Sequence, residues 1–335
     1  MLEFNLTIFS LLIIYLINKY KGKVVDKTKL LDRPDKIRKL HKKPTPLLGG
    51  IMVFSSFLLI NLYLIFFQNL NKTSFIIFIC CSSCFILGLI DDIKRISYKY
   101  KFLILIAIFY LAVWFDPNLQ VNKIYFATLS EDFYLKYLSI PFTILCLLLL
   151  TNAINLIDGI DGLCILISTT LIIWIINIFQ NKETLYIPII ISLIYILYHN
   201  LKKNIFLGDS GSLFLGCFIG LNIILNYNQK ILNIDFPVEN IFIALMLPGL
   251  DMLRVFAIRL INKKNPFSPD RNHLHHLLLN RKFQLRTILL IHFILIVTPI
   301  AMSKFLNISQ ISMILTFIFF YLILVFYLSK NFFKR

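Results

Sequence analysis

The stretch PFTILCLLLLTNAINLIDGIDGLCILISTTLIIWIINIF at residues 141–179 contains two long apolar runs that are separated by a short polar junction. Similar apolar runs recur along almost the whole chain, and about 20 apolar residues are enough for a helix to cross a bilayer. A soluble domain carries about 25% charged residues, whereas 15% of these 335 residues are charged. The sequence therefore predicts an all-α, polytopic membrane protein.

Eleven apolar runs are candidates for transmembrane helices, and together they predict one integral-membrane domain over residues 1–335. The first run has no basic residues before it and no small-residue cleavage pattern, so we expect a membrane anchor rather than a cleaved signal. The first, fourth and seventh runs are short. The predicted spans are 3–18, 48–68, 73–90, 102–115, 139–157, 163–179, 184–199, 211–226, 239–258, 286–303 and 308–329.

The six cysteines all lie in or beside apolar runs. Cys81 and Cys84 have the C-x-x-C spacing of zinc and redox sites, but they lie inside a predicted span and the sequence offers no second such pair. We therefore interpret the cysteines as small packing residues that are compatible with a lipid environment.

The net charge of +17 raises the question of nucleic-acid binding, but its distribution favours a membrane orientation instead. If the amino terminus lies outside, 28 of the 34 Lys and Arg residues fall in loops and helix ends on the inner side. This is the positive-inside bias of membrane proteins, and it requires no nucleic acid as a partner. Basic loops also attract anionic lipid headgroups. The inner loops are then 19–47, 91–101, 155–162, 200–210 and 259–285.

The acidic residues are also distributed unequally between the two sides. All ten on the inner side are Asp, whereas four of the seven on the outer side are Glu. A short carboxylate has few rotatable bonds, which suits a site where the positions of oxygen atoms matter, such as a magnesium site. This pattern indicates that the catalytic residues lie in the inner loops.

The first inner loop contains LDRPDKIRKLHKKPTPLLGG at residues 31–50, in which three prolines prevent a continuous helix. Gly49 and Gly50 allow a close approach of the backbone at the start of the next span. The loop is either a basic connector at the lipid headgroups or a loop that faces phosphate groups. In the second interpretation the contributing side chains are Asp32, Arg38, Lys39, His41 and Lys43.

The third span ends in GLIDDIKRISYKYK, with Asp91 and Asp92 where an apolar helix meets water. Negative charge at the carboxyl end of a helix opposes the macrodipole, and adjacent carboxylates repel each other. The pair is therefore unfavourable as an ordinary helix end. We interpret it as a general base next to a cation or metal partner.

The fifth span continues into TNAINLIDGIDGL, where oxygen-bearing side chains recur at every third position: Asn152, Asn155, Asp158 and Asp161. Such residues share one face of a 3₁₀ turn and drift by about 60° per step on an α-helix. Gly159 and Gly162 favour a break in the helix. Polar capping explains one or two of these residues, so we expect all four to gather at the inner end of the span.

Before the eighth span, NIFLGDSGSLFLG places Asp209 and Ser210 between two glycines at the start of a helix. Backbone N–H groups at a helix start form an anion site, and Asp209 is a candidate metal ligand beside a bound phosphate. A tight turn with a helix cap is the alternative.

The last long inner loop, PFSPDRNHLHHLLLNRK, holds three of the six histidines within four residues: His273, His275 and His276. Their spacings differ from the four-residue spacing of two zinc ligands on a helix. Beside Arg271 they suit hydrogen bonding to phosphate oxygens. We do not expect core histidines in so polar a stretch.

Clusters of carboxylates or histidines thus lie in alternating loops on one membrane face, which predicts an active site there. The Asp91-Asp92 pair, NAINLIDGIDGL at 152–163, FLGDSGS at 206–212 and DRNHLHH at 270–276 together resemble the bacterial polyprenyl-phosphate N-acetylhexosamine-1-phosphate transferases. These enzymes are relatives of phospho-N-acetylmuramoyl-pentapeptide transferase. The resemblance covers about residues 30–280 and implies an eleven-span enzyme whose catalytic loops lie on the cytoplasmic face of the bacterial inner membrane.

The resemblance also implies roles for the motif residues. Asp209 and Asn155 would coordinate magnesium, or manganese in its place, on the pyrophosphate of a UDP-sugar. Asp158, Gly159 and Asp161 would hold the uridine, with Phe206 stacked on the uracil ring. Asp91 or Asp92 would deprotonate or position the polyprenyl phosphate. The expected contacts to the pyrophosphate come from Arg271, His273, His275 and His276, and the remaining substrate-binding candidates are Asn152, Asp32 and Lys43.

The reaction implied is transfer of an N-acetylhexosamine 1-phosphate, GlcNAc-1-phosphate by preference, from the UDP-sugar to undecaprenyl phosphate with release of UMP. The DRNHLHH form resembles the branch that initiates O-antigen, enterobacterial-antigen and teichoic-acid synthesis. A peptidoglycan transferase is the alternative within the family. A membrane transporter is the alternative from another class, although transporters place charges near the bilayer midplane. Expected partners are the two substrates and membrane lipids, and a homodimer is left open.

Overall fold

A computed structural model describes residues 2–33, 43–68, 70–128, 131–179, 186–231, 236–264, 271–305 and 309–329. Within these residues the chain forms eleven apolar helices of 16 to 24 residues, one at each predicted span. They are α1 (Leu2–Lys19), α3 (Gly49–Phe67), α4 (Lys72–Lys94), α5 (Tyr98–Phe115), α6 (Ser139–Ile157), α7 (Leu163–Phe179), α8 (Tyr186–Leu201), α9 (Gly208–Ile231), α10 (Glu239–Ile261), α12 (Leu285–Phe305) and α13 (Gln310–Ser329). Two short helices, α2 (Lys21–Thr28) and α11 (Leu274–Asn280), lie between them.

The lengths of the helices confirm an all-α, polytopic membrane protein. Eight of the described helices are long and apolar enough to cross a membrane, and the apolar segments of α1, α7 and α8 are shorter. The short first and seventh spans are as predicted, but the fourth span, α5, has 18 residues. It is longer than its apolar run because the polar residues Tyr98–Lys101 form its first turn, which a count of apolar residues leaves out.

Two short β-hairpins lie at the ends of the helices. β1 (Leu31–Asp32) pairs antiparallel with β2 (Thr45–Pro46) just before α3. β3 (Lys123–Phe126) pairs antiparallel with β4 (Glu131–Tyr134) before α6, and there the buried Glu239 accepts hydrogen bonds from the N–H groups of Ala127 and Thr128, each 3.3 Å long. The two hairpins therefore belong to opposite ends of the bundle.

The central helix of the bundle is α9. In its membrane-length stretch 83% of the residues are buried, against 22% to 44% in the other seven long spans. It packs against α3, α4, α6 and α7. Because the first turn of α9 contains the GDSGS motif, the most enclosed helix also delivers Asp209 to the face on which we expect the site.

A close approach of α4 to α9 depends on Gly88. A Cβ atom at Gly88 would lie 2.5 Å from the Cα atom of Ser210, a separation at which the backbone of α9 must move. Membrane helices use small residues in this way because lipid gives no hydrophobic driving force for their association. Gly88 lies one turn before Asp91 and Asp92, so this contact fixes how far the acidic pair stands from α9.

Four of the cysteines lie in the same helix contact. The Sγ atoms of Cys80 and Cys81 are each 3.7 Å from the Sγ atom of Cys217 in α9, and Cys84 lies close by. All four are buried and none forms a disulfide. The sequence suggested only the Cys81 and Cys84 pair, because Cys217 joins them through tertiary packing. In this position the thiols occupy the narrow space between two closely packed helices.

We expect Gly88→Ala to lower the apparent melting temperature in detergent by several degrees, because overpacking a tight contact costs about 1–3 kcal/mol. Gly249→Ala in α10 is the matched control, since nothing lies within 4 Å of a Cβ atom added there. The control should melt at the wild-type temperature or slightly above it, because Ala favours a helix over Gly by about 1 kcal/mol. Equal melting of the two variants would contradict the close contact.

Candidate active site

The five loops predicted on the inner side surround one cavity of about 820 Å³, which we call the site cavity. Its lining runs from Lys29 to Leu285, so residues distant in the chain meet there. The structure thus brings together most of the predicted site. The predicted residues in the lining are Asp32, Asp91, Asp92, Asp158, Gly159, Asp161, Phe206, Asp209, Arg271 and His276.

Asp92 holds the start of α9. Its Oδ1 accepts a hydrogen bond of 2.8 Å from the N–H of Asp209, and its Oδ2 accepts one of 3.0 Å from the N–H of Ser210. Gly208, with φ of +77°, places its Cα beside this carboxylate, where a Cβ atom would lie 3.1 Å from Oδ1. The helix start is therefore an anion site, as the sequence predicts, but the anion is a side chain of the same protein. The positive end of the α9 dipole stabilises it.

Asp91 is paired with Lys101, a residue that the sequence patterns did not single out. The Nζ atom of Lys101 contacts Asp91 Oδ2 and lies 2.5 Å from Asp209 Oδ2, so one ammonium group bridges two carboxylates. The other oxygen of Asp91 accepts a hydrogen bond of 2.5 Å from the N–H of Ile96. A lysine in the first turn of α5 opposes the helix dipole. That mismatch is the signal that could have identified Lys101.

The Asn and Asp residues at the end of α6 separate into two groups. Asn155 donates to Asp209 Oδ1 at 3.2 Å and to the Ser212 hydroxyl at 2.8 Å, which connects α6 to α9. Asn152 instead donates to the carbonyl of Leu148 in its own helix and does not line the site cavity. The expected gathering of four residues is only partly confirmed: neither Asn152 nor Asn155 lines the site cavity, because α6 stays helical to Ile157 and the turn in the lining begins after it.

The turn at residues 158–162 forms one wall of the site cavity, with Asp158, Gly159 and Asp161 in the lining. Asn200 supports this turn: its Oδ1 accepts a hydrogen bond from the N–H of Gly162, and its Nδ2 donates to the carbonyl of Ile205. Asn200 connects two loops that are adjacent only in space, so no sequence pattern points to it. It is a second site residue found from the structure alone.

Burial raises the pKa of the Asp158 carboxyl well above its usual range, and the nearby carboxylates of Asp209, Asp92 and Asp161 raise it further. Among the described residues, no hydrogen bond to the Asp158 side chain offsets this effect. Lys203 lies 3.9 Å from Asp161 Oδ2 at the edge of the same wall. Among the described residues Asp158 thus lies near three other carboxylates without an ion pair of its own, which is a favourable setting for a cation or a proton.

Phe206 lies in the cavity lining, where the backbone around it is fixed by the segment that precedes α3. Its N–H donates to the carbonyl of Pro46, and its carbonyl accepts from the N–H of Gly49 at 2.9 Å. A Cβ atom at Gly49 would lie 2.9 Å from the same carbonyl oxygen, so only glycine fits this close approach. The expectation that Gly49 permits a close backbone contact is confirmed.

Some of the predicted residues of the first inner loop line the site cavity and others do not. Asp32 lines the site cavity together with Lys29 and Arg33, whereas Lys43 is exposed and outside the lining. Arg38, Lys39 and His41, which the sequence suggested for phosphate contacts, lie outside the described residues, as does Asp270 of the DRNHLHH motif.

The histidine segment is also divided, and here the expectation of exposed histidines was wrong. His276 and Arg271 line the site cavity, but His273 and His275 are only 3% and 1% exposed. Their burial has a physical cause in α10, where Asp251 accepts hydrogen bonds from His273 Nδ1 and from the N–H of Leu274. Neither His273 nor His275 has a partner for its Nε2 atom among the described residues.

His275 packs against the turn that holds Asp158. A Cβ atom at Gly159 would overlap the Nε2 atom of His275, so the glycine leaves room for the ring. Burial lowers the pKa of His275 well below its usual range, and the charge of the neighbouring His276 lowers it further. His275 is therefore a neutral ring that joins the histidine segment to the opposite wall of the cavity.

Comparisons with known proteins show the family to which the chain is similar. A family model described as Glycosyl transferase family 4 matches residues 74–226. The probable undecaprenyl-phosphate N-acetylglucosaminyl 1-phosphate transferase of Bacillus subtilis is 30% identical over 309 residues, which cover 89% of this chain and 84% of the relative. The undecaprenyl-phosphate alpha-N-acetylglucosaminyl 1-phosphate transferases of Thermotoga maritima and Escherichia coli K12 are 29% and 28% identical, covering 89% and 80% of this chain and 87% and 74% of the relatives.

The raised pKa of Asp158 predicts a gain in stability for Asp158→Asn. A carboxyl group whose pKa is higher in the folded than in the unfolded protein binds more protons when folded, so stability falls as the pH rises above about 4. The amide cannot ionise and escapes this loss. We expect the variant to melt at least about 2 °C above the wild type at pH 7.5, with a smaller gap at pH 5, by thermal unfolding in detergent.

Asp132→Asn is the matched control for this prediction. Asp132 forms an ion pair of 2.8 Å with Lys123 in the hairpin at the other end of the bundle, and an exposed pair of this kind contributes about 0–1 kcal/mol. Its removal should not raise the melting temperature. A melting temperature of Asp158→Asn at or below the wild-type value at pH 7.5 would refute the proposed charge repulsion.

Proposed function

The chain belongs to glycosyl transferase family 4, and we propose that it transfers N-acetylglucosamine 1-phosphate from UDP-N-acetylglucosamine to undecaprenyl phosphate, releasing UMP. Three relatives that are named undecaprenyl-phosphate N-acetylglucosaminyl 1-phosphate transferases cover 80% to 89% of the chain. The observation that carries the proposal is the meeting of five distant loops in one cavity, whose lining contains six carboxylates together with Arg271 and His276.

The donor end of the reaction fits the wall formed by residues 158–161 and Phe206. Carboxylates and a turn backbone offer acceptors and donors for the edge of a uracil ring and for ribose hydroxyls, and an aromatic side chain offers a face for stacking. Arg271 and His276 lie in the lining of the same cavity and can donate hydrogen bonds to pyrophosphate oxygens. We therefore assign the uridine to the wall formed by residues 158–161 and Phe206, and the pyrophosphate to the space between this wall and the side chains of Arg271 and His276.

The carboxylate side of the cavity fits a magnesium ion. Oxygen ligands are those that magnesium prefers, and Asp91 and Asp209 direct oxygens at one point, where the Lys101 ammonium lies in this structure. Asn155 turns its amide nitrogen toward Asp209, so its oxygen becomes a ligand only if the amide group rotates. When bound, the ion would neutralise charge on the pyrophosphate during phosphoryl transfer.

The reaction requires an oxygen of the lipid phosphate to attack the phosphorus atom that carries the sugar. The bond between that phosphorus and the oxygen that bridges to the uridine phosphate breaks, and UMP leaves with the bridging oxygen. Phosphoryl transfer depends mainly on alignment and on stabilisation of charge. Asp91 is the acid-base candidate, because its Oδ2 contacts a side-chain ammonium, that of Lys101, whereas both oxygens of Asp92 accept hydrogen bonds from backbone N–H groups at the start of α9. Asp92 then acts by holding Asp209 in place.

We place the site cavity on the cytoplasmic face of a bacterial inner membrane. The loops that line it are those that hold most of the Lys and Arg residues, and such loops stay on the cytoplasmic side. A UDP-sugar and UMP are cytoplasmic metabolites, so the orientation and the reaction support each other. The product is the first lipid-linked intermediate of a cell-envelope glycan.

Two other functions make different predictions. A peptidoglycan transferase would use a UDP-linked muramoyl pentapeptide as its donor, and the names of the relatives favour the smaller sugar instead. A transporter would need charged residues near the middle of the bilayer. In the described part of the chain, the carboxylates of the site lie at helix ends and in loops, as Asp91 and Asp209 illustrate.

The proposal predicts that the purified protein, given radiolabelled UDP-N-acetylglucosamine, undecaprenyl phosphate and magnesium, makes one lipid-linked sugar for each UMP released. EDTA should abolish the reaction, and magnesium should restore it. Asp209→Asn should lower the rate by about 100-fold or more, since loss of one charge-stabilising group at a reacting centre has an effect of that order. Lipid extraction and chromatography of the nucleotide products measure both quantities.

Asp132→Asn is the matched control for the assay and should keep the wild-type rate. A wild-type protein that forms no lipid-linked product would sink the proposed transfer, and full activity in excess EDTA would remove the metal from it. Incorporation only from the muramoyl-pentapeptide donor would favour the peptidoglycan branch. If Asp91→Asn combined with Asp92→Asn kept a near-normal rate at neutral pH, the acid-base assignment would be wrong.

A further inference from the structure

A buried carboxylate in α10 connects three parts of the chain. Asp251 is 5% exposed, and its Oδ1 accepts hydrogen bonds from the N–H of Leu274, from Arg254 Nη2 and from the Tyr321 hydroxyl, at 2.8 to 2.9 Å. Its Oδ2 lies 2.8 Å from His273 Nδ1, which therefore carries the hydrogen. Neither the proposed reaction nor the sequence motifs use Asp251.

The other members of this network also bind the segment before α11. Arg254 donates to the carbonyl of Asn272 at 2.6 Å and, through Nε, to the Tyr321 hydroxyl at 2.9 Å. Tyr321 comes from α13 and is 1% exposed. A buried charge of this kind costs free energy unless its partners are well placed, so the network favours one arrangement of Asn272, His273 and Leu274 over others.

The residues on either side of this anchored segment reach the site cavity. Arg271 precedes it and His276 follows it, and both line the cavity, whereas His273 does not. The Nε2 atom of His273 is buried and has no partner among the described residues, while its Nδ1 atom is used by Asp251. The ring atom of His273 that forms a hydrogen bond is thus Nδ1, and its partner is Asp251 rather than a group in the site cavity.

We propose that Asp251 and His273 are positioning residues, which hold the segment 271–276 so that Arg271 and His276 face the pyrophosphate. The proposal rests on the function proposed above, and it changes the role of His273 from direct contact with the donor to support of its neighbours. The three histidines then have three tasks. His276 faces the cavity, His275 packs on Gly159, and His273 connects the segment to α10.

Two substitutions at one position distinguish positioning from contact. In His273→Asn the amide nitrogen can take the place of Nδ1 and still donate to Asp251, while nothing replaces Nε2. In His273→Gln the amide nitrogen can take the place of Nε2, and the Nδ1 donor is lost. Positioning predicts that His273→Asn keeps activity within about fivefold of the wild type and exceeds His273→Gln by at least fivefold. An equal or reversed ranking would overturn the proposal.

A double-variant comparison tests whether the two residues act as one unit. If Asp251 acts through His273, the rate of the double variant Asp251→Asn, His273→Gln should lie within about twofold of the rate of the slower single variant. Independent roles would multiply the losses and overturn the proposal.

Tyr321→Phe removes one of four donors to Asp251 and should reduce activity only a few-fold. The loss should appear as a higher KM for the UDP-sugar rather than as a lower kcat. Asp132→Asn again serves as the unaffected control.

Hydrogen exchange separates failure of this proposal from failure of the proposed function. The N–H of Leu274 bonds directly to Asp251, so its protection reports the anchored segment without any substrate. We expect wild-type protection at residues 274–280 in His273→Asn and reduced protection in His273→Gln. An inactive wild type with this exchange pattern would reject the transfer and keep the anchor. An active wild type whose two variants exchange alike would keep the transfer and reject the anchor.

Discussion

The site depends on the contact between the Asp92 carboxylate and the first N–H groups of α9. A carboxylate at a helix start receives charge-assisted hydrogen bonds, each worth about 1.5–3 kcal/mol, and it also meets the positive end of the helix dipole. These bonds join α4 to the most enclosed helix of the bundle, and Gly88 lets the two backbones come close enough to form them. Two other carboxylates of the cavity are placed by this contact, because Asp91 precedes Asp92 and Asp209 provides one of the two donors.

Negative charge is concentrated around Asp158, and the neighbouring described residues do not balance it there. Lys101 bridges Asp91 and Asp209, but Asp158 has no hydrogen-bonding partner for its carboxylate among the described residues. A structure optimised only for stability would not hold these carboxylates together. In the proposed reaction a divalent cation held by Asp91 and Asp209 would offset this repulsion, and folding would already have supplied the free energy needed to bring the carboxylates together.

The membrane architecture could be predicted from the sequence, since eleven apolar runs gave eleven helices and the Lys and Arg residues indicated which loops share a face. The inner arrangement of the site could be predicted only in part. Asp91, Asp92 and the turn at 158–161 were found because each breaks a local rule of helix ends or apolar runs, and Asp209 was found because it lies between two glycines at a helix start. Lys101 and Asn200 were missed because each has one partner that is distant in the chain: Asp209 is 108 residues from Lys101, and Gly162 is 38 residues from Asn200. Asp251 was missed because its partner His273 lies 22 residues away, in a segment with a strong motif of its own. The burial of His273 and His275 was missed for the same reason.

The difference between Asp and Glu on the two faces has a structural explanation. On the outer face Glu239 uses its longer side chain to reach the turn of the β3–β4 hairpin, where it accepts hydrogen bonds from Ala127 and Thr128. On the site face the carboxylates of Asp92, Asp209 and Asp251 start from helices that are packed tightly on one another. A short side chain on a fixed helix leaves its oxygens few alternative positions, and an additional methylene would add rotamers at the point where alignment matters most. The site therefore takes its precision from helices that the membrane already holds in place.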